Sequence, residues 1–163
     1  MPRLEQLDHL VGVLGASVWR DTGVSVPLRW CEGGSEDRAE RIAGPQDDWA
    51  EVGPETIWGA PQRYFWFGGD LTPPAPLAGE DLWLRIDAQF GRVMGRSDPQ
   101  CLIRLNGEIV QGGDFNHTRV PLRDSGPQTV LVEAGTIEDR RQIGFGLTVV
   151  ARDIAAEALY FDL

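Results

Sequence analysis

The sequence contains no lysine. All 15 basic residues are arginine, set against 25 acidic residues, and the formal net charge is −10. A chain of this charge does not supply the positive field that binding to a phosphate backbone requires, so the sequence argues against a nucleic-acid partner. The acidic residues are spread evenly, as on a solvated surface. We attribute the missing lysine to the composition of the source genome.

Cysteine and histidine are scarce. Two cysteines, Cys31 and Cys101, are too few for a disulfide framework or a metal cluster, and their apolar, strand-like neighbours predict two buried thiols. A zinc site needs about three or four convergent ligands. The two histidines, His9 and His117, do not supply it, so we predict no metal and no cofactor in this chain.

Long apolar runs are also absent. No segment approaches the ~20 residues that cross a bilayer, so we predict no membrane partner. The first residues lack the basic and apolar regions of a secretory signal, and we therefore expect a cytoplasmic protein. The length of 163 residues, 42% of them hydrophobic, favours one domain with its own core.

The first 60 residues divide into two regions. Apolar residues at helical spacing predict a short helix over Arg3–Ala16, followed by an extended segment, which together form a helix and lead-in strand over residues 1–30. Residues 31–60 are rich in glycine, proline and acids and predict a long loop. Trp49 and Trp58 are expected to pack this loop against the core.

The rest of the chain is dominated by strand patterns. Short strands without a βαβ rhythm predict a mainly β protein, a jelly-roll-like antiparallel β-sandwich with a short N-terminal helix and its core in residues 61–152. Asn106–Gly107 is a strong hairpin signal because both residues tolerate positive φ. Residues 153–163 have a helical or linker-like pattern. Alternation in one strand predicts four residues that face the core: Leu82, Leu84, Ile86 and Ala88.

A polar segment follows the hairpin and carries Asp114, Asn116 and His117. Asp114 can cap a tight turn by accepting bonds from backbone N–H groups two residues on, while His117 fixes the next strand. The alternative is that these side chains face a neighbouring catalytic domain or bond sugar hydroxyls. We favour the structural role and keep the contact as the alternative.

Four aromatic residues could form a platform for a sugar ring: Trp58, Tyr64, Trp66 and Trp83. Alternation places Tyr64 and Trp66 on the same face of their strand. Trp83 lies on the polar face of its strand, which makes it the best candidate for an exposed ring. The alternative, which we prefer, is that the long loop or another domain covers it.

Glycosidases place two carboxylates roughly 5–9 Å apart across the scissile bond. The candidates Asp47–Asp48, Glu80–Asp81 and Glu138–Asp139 are neighbours within turn-like segments. Neighbours of this kind rarely converge on one bond, so we predict solvated loop acids and no catalytic residue.

Four segments in order carry a resemblance to a known family: "YFWFGGDLTPP", "LAGEDLWLRI", "CLIRLNGEIVQGGDFNHTRVPL" and "QTVLVEA". Over roughly Trp49–Leu163 the chain resembles the β-sandwich that precedes the catalytic domain in bacterial α-mannosidases of glycoside hydrolase family 38. A broader group of sandwiches in β-galactosidase-like glycosidases shares the pattern, so an accessory glycosidase sandwich is the wider expectation.

The resemblance implies a division of labour within a longer enzyme. In that family the nucleophilic aspartate and the site for zinc or another divalent metal belong to the catalytic domain, which contains a His-x-Asp motif. Here His9 stands in "HLV" and His117 in "HTR", so neither matches. We expect a non-catalytic N-terminal domain that docks on the downstream catalytic domain, contributes to a cleft for α-mannosides or to a homo-oligomer contact, and begins its linker at residues 153–163.

Two other classes of protein stay open. A free-standing carbohydrate-binding, lectin-like module would present an exposed aromatic platform. A purely structural assembly module would self-associate through an apolar face and bind no ligand.

Overall fold

Two antiparallel sheets are stacked face to face in the computed structural model of the chain, which describes residues 4–93, 96–137 and 141–162. A short 3-10 helix spans Ser35–Asp37. The helices are α1 Leu4–Ser17, α2 Arg38–Arg41 and α3 Ile154–Asp162. The strands are β1 Trp19–Ser25, β2 Arg29–Gly33, β3 Ala50–Glu51, β4 Ile57–Trp58, β5 Tyr64–Leu71, β6 Glu80–Asp87, β7 Gly91–Val93, β8 Arg96–Asp98, β9 Gln100–Leu105, β10 Glu108–Gly113, β11 Arg119–Pro121, β12 Gln128–Gly135, β13 Gln142–Ile143 and β14 Gly146–Asp153.

The chain crosses repeatedly between the two layers. One sheet has four strands in the order β1-β14-β6-β11, and the other has six in the order β10-β9-β12-β5-β2-β3. Strand β5 of the larger sheet is followed by β6 of the smaller sheet, β10 is followed by β11, and β12 is followed, after the short β13, by β14. Successive strands therefore often lie in opposite layers. This topology confirms the predicted jelly-roll-like antiparallel β-sandwich with a short N-terminal helix.

The core lies between the two sheets. All four residues predicted from the alternation are buried: Leu82, Leu84 and Ile86 lie in β6, and Ala88 follows it directly. From the larger sheet, Phe65, Phe67, Ile103 and Val132 meet them. Phe67 stacks on Phe145 with ring centroids 3.9 Å apart, so an aromatic cluster fills the centre of this core.

Strand β5 is buried on its outer face as well. Trp66 points away from Phe65 and Phe67 and forms a second cluster with Trp49 and Leu131. Trp66 has no exposed surface, because the segment that carries Trp49 lies over it. The prediction that Trp49 and Trp58 pack the long loop is confirmed, since both are almost completely buried.

The predicted regional boundaries at residues 30 and 60 are not boundaries of the sandwich. Strand β1 pairs with β14 and β2 pairs with β5, so the predicted lead-in region contributes two strands to the sheets. The region 31–60 also contains α2, β3 and β4. Hydrogen bonds to distant strands override the weak local pattern in both regions.

The two terminal helices pack together at one corner of the sandwich. Helix α1 agrees with the predicted helix within one residue at each end, although Arg3 lies outside the described residues. Helix α3 occupies the predicted region 153–163 and places Tyr160 beside Gly15 of α1. Among the described helices, none is long and apolar enough to cross a membrane.

The Asn106–Gly107 turn forms as predicted. The two residues have φ values of 51° and 83°, which suit the tight turn between β9 and β10. Asn106 also exchanges two bonds with Thr129: its N–H donates to the Thr129 carbonyl at 2.8 Å, and its Oδ1 accepts from the Thr129 N–H at 2.9 Å. The hairpin is therefore fixed to the neighbouring strand β12.

The two cysteines are free thiols. Cys101 is buried in the core as predicted, whereas Cys31 is only partly buried, beside Trp66. Burial raises the pKa of Cys31 to about 11, so this thiol is protonated and weakly reactive at neutral pH.

Replacing Trp58 tests how the long loop is held. Trp58 packs against Phe65 and Phe67, and its Nε1 donates to the Gly144 carbonyl at 2.9 Å. We expect Trp58→Ala to lower the free energy of unfolding by about 3–5 kcal/mol, measured by urea denaturation with circular dichroism. The adjacent control Ile57→Ala, at an exposed position of the same strand, should stay within about 0.5 kcal/mol of the wild type. Equal effects of the two changes would contradict this packing.

Candidate functional site

The Asp114–His117 segment forms a closed polar turn after β10. The Asp114 Oδ1 accepts hydrogen bonds from the N–H groups of Asn116 at 2.7 Å and His117 at 2.9 Å. The same oxygen lies 2.9 Å from Nδ1 of the His117 ring. Backbone bonds between Asp114 and His117 complete the turn. The geometry matches the capping role considered for Asp114.

The electrostatics of this turn favour a fixed carboxylate. The N–H of Asn116, followed by the His117 ring and N–H, lowers the pKa of Asp114 below its ordinary value. A carboxylate held in this way does not act as a general acid near neutral pH. The His117 side chain is 63% exposed and borders a shallow depression with Gln111, so it is accessible to a neighbouring molecule.

The aromatic candidates separate into buried and accessible rings. Trp58 and Trp66 are 1% and 0% exposed, so the suggestion that they form a platform is wrong. Trp58 closes the main core, and Trp66 is covered by Trp49 on the outer face of β5. Of the four candidates, Tyr64 is the most exposed residue, at 37%.

Trp83 lies on the outer face of the smaller sheet, as predicted, but it is not a free platform. Trp19 meets it edge to face at 5.6 Å, and the guanidinium of Arg152 lies 4.7 Å from its ring centroid. Its Nε1 donates to Oδ1 of Asp81 at 3.0 Å. The cover comes from β1 and β14 of the same chain and not from the long loop.

The neighbouring carboxylates do not act as a pair. Glu80 binds Arg20 at 2.7 Å, and Asp81 binds Arg152 at 2.6 Å. Hydrogen bonds from these two guanidinium groups lower the pKa of each carboxyl, which is the opposite of the shift that a glycosidase general acid needs. Asp48 is exposed and lies 4.0 Å from Arg41, and Glu138–Asp139 is outside the described residues.

A recess on the outer face of the larger sheet brings together residues that sequence patterns do not connect. Tyr64 forms one wall, and Glu133, Arg38 and Gln100 line the rest of a volume of about 380 Å³. Of these, the sequence indicates only Tyr64. Glu133 is the one acid within the apolar segment "VLVEA", a departure from the strand pattern that could have drawn attention to it.

The comparisons with known proteins bear on the fold. No protein-family model matches the chain, and no curated protein matches it in sequence. A solved glycoside hydrolase contains a region of similar fold. It is a β-glucuronidase from Ruminococcus gnavus, which aligns over 82% of this chain with a TM-score of 0.52 and 9% identity. The alignment spans 28% of the β-glucuronidase chain, so the likeness concerns one part of a larger enzyme.

Asp114 provides a test of the turn. Its pKa is lower in the folded than in the unfolded chain, so its contribution to stability is present above the unfolded value of about 3.9 and is lost as the pH falls through the folded value. We expect Asp114→Ala to lower the free energy of unfolding by about 1 kcal/mol at pH 7 and by less below pH ~4. Denaturation across this pH range measures both effects.

Asn116→Ala is the matched control, because the backbone N–H that bonds Asp114 remains in place. This variant should unfold like the wild type at every pH. An Asp114→Ala deficit that does not change between neutral and acidic pH would contradict the role of the carboxylate.

Proposed function

We propose that this chain is a non-catalytic accessory domain of a glycoside hydrolase, and more specifically of an α-mannosidase-like enzyme. It docks on the catalytic domain of the same longer chain and supplies a rigid wall beside the substrate cleft. The single observation that carries the proposal is the fold: a jelly-roll-like sandwich similar to one region of a much longer glycoside hydrolase. The mannosidase assignment rests on the ordered sequence segments.

The chemistry of the described side chains supports a non-catalytic role. A glycosidase needs one carboxyl that stays protonated near neutral pH and a second that is ionised. Asp81, Glu80 and Asp114 all have pKa values below their ordinary range, because arginine or backbone N–H groups stabilise their ionised forms. None of the three can serve as the acid.

The described residues offer no site for the divalent metal that the resemblance implies. In the described ranges, no group of three His, Cys, Asp or Glu side chains could hold a metal ion. His9 lies on α1 and His117 on the turn after β10. We therefore propose that the metal belongs to the catalytic domain.

An apolar surface on the terminal helices is suited to the docking. Helix α1 exposes Leu10 and Val13, and α3 exposes Leu159 and Phe161, the last to 77%. The two helices pack together, so all four side chains lie on one helical pair. Exposed apolar groups that share a surface are typical of contacts with another domain.

Introducing a negative charge on the exposed surface of α3 tests the docking. Phe161→Asp should leave the isolated chain within about 0.5 kcal/mol of the wild-type stability, because the side chain is exposed. In the full-length enzyme the same change should separate the sandwich and catalytic domains into two thermal transitions, recorded by differential scanning calorimetry.

Ile109→Asp is the matched control, since Ile109 is exposed on β10 of the larger sheet and does not belong to the terminal helices. It should leave a single transition in the full-length enzyme. A single unchanged transition in the Phe161→Asp enzyme would contradict docking through α3.

A second test asks whether the isolated chain hydrolyses a glycoside. The 163-residue chain should not cleave 4-nitrophenyl α-mannoside, with or without added zinc, whereas the full-length enzyme should. Cleavage by the isolated chain at a rate proportional to its concentration would overturn the non-catalytic assignment.

The rival function, a free-standing carbohydrate-binding module, is favoured by one observation. The recess beside Tyr64 combines an accessible ring with a carboxylate and a guanidinium, which is the chemistry that recognises sugars. An accessory domain can carry such a site too.

A further inference from the structure

The recess on the outer face of the larger sheet is built by the register of three central strands. Tyr64 of β5 lies opposite Gly135 of β12, which lies opposite Gln100 of β9. Their neighbours Phe65, Ala134 and Cys101 belong to the core, so this row faces outward. Gly135 has no side chain between the two longer residues, and this gap forms the floor of the recess.

The next outward row supplies the charge. Glu133 lies opposite Leu102 and Trp66, and its side chain is only 8% exposed. Arg38 reaches it from α2, with Nε 3.1 Å and Nη2 3.0 Å from Oε2. Arg104 places Nη2 4.0 Å from the same oxygen.

These contacts leave complementary groups facing the recess. Among the contacts of the described residues, both arginines lie beside Oε2 of Glu133. Oε1 is therefore the oxygen that can accept a hydrogen bond from a ligand. The Arg38 side chain is 48% exposed and offers further N–H donors beside that acceptor. Gln100, with an exposed side chain, adds an amide that both donates and accepts.

Vicinal hydroxyls match this arrangement. Each hydroxyl donates one hydrogen bond and accepts others, so a neighbouring pair can donate to Glu133 while accepting from Arg38. The C–H face of a pyranose ring can cover the exposed ring of Tyr64. A carboxylated sugar fits less well, because its charge would lie close to Glu133.

We propose that this recess binds an uncharged hexopyranose, with its ring against Tyr64, its hydroxyls between Glu133 and Arg38, and Gly135 beneath it. The choice of a sugar over other polyols rests on the proposed function. The site lies on the larger sheet and is lined by no residue of the terminal helices, and it shares only Gln100 and Cys101 with the depression beside His117.

The proposal is tested by titrating the ¹⁵N-labelled 163-residue chain with methyl α-mannopyranoside, methyl β-glucopyranoside and sodium glucuronate. We expect saturable shifts of the Tyr64, Gln100 and Gly135 amides with at least one uncharged glycoside, and smaller shifts with glucuronate. Absence of saturable shifts at these amides would overturn the site. Stronger binding of glucuronate would overturn the assignment to an uncharged sugar.

Two substitutions separate ring contact from simple surface effects. Tyr64→Ala should weaken binding about tenfold, whereas Tyr64→Phe should retain affinity within about twofold because the ring remains. Equal weakening by both variants, or by neither, would contradict the ring contact.

A filled recess gives a test that removes no polar group. At Gly135 an added Cβ would have its nearest heavy neighbours at 3.8 and 4.0 Å, so Gly135→Val should fold while its methyl groups occupy the floor. We expect this variant to lose binding. The control Glu108→Gln, an exposed acid on β10, should bind like the wild type. Wild-type affinity in Gly135→Val would place the sugar elsewhere and overturn the proposal.

These results are independent of the docking experiment. Sugar binding to the isolated chain together with failure of Phe161→Asp to uncouple the full-length enzyme would retain the recess and reject the docking. Uncoupling without sugar binding would do the reverse.

Discussion

Burial of strand β5 on both faces is the constraint on which the rest of the structure depends. Its phenylalanines enter the core between the sheets, while Trp66 enters the second cluster beneath Trp49. A central strand with large aromatic groups on both faces must be covered twice. The smaller sheet supplies one cover, and the segment between β2 and β3 supplies the other.

This double burial decides where a ligand can bind. Of the aromatic rings proposed as a platform, Trp58 and Trp66 are buried, and Trp83 is enclosed by Trp19 and Arg152. The outer cover ends at Tyr64, where Gly135 opens the sheet surface. A recess with buried charge at its side therefore forms at the edge of the cover, largely on the central strands of the larger sheet.

Features with strong local signals could be predicted from the sequence alone. Period-two alternation identified the inward side of β6, and Asn106–Gly107 identified the hairpin, because both depend on neighbours along the chain. Strands β1 and β2 were less evident, since their pairing with β14 and β5 is long-range. The Glu133–Arg38 contact joins residues far apart in sequence, so no spacing pattern could reveal it.

Hydrogen exchange of β5 gives the most direct test of this two-sided burial. The amides of Tyr64–Leu71 should exchange only through global unfolding, with the same denaturant dependence as those of β14 in the opposite sheet. Exchange of β5 through local opening, while β14 stays protected, would show that the outer segment does not seal the strand and would contradict the structural basis proposed here.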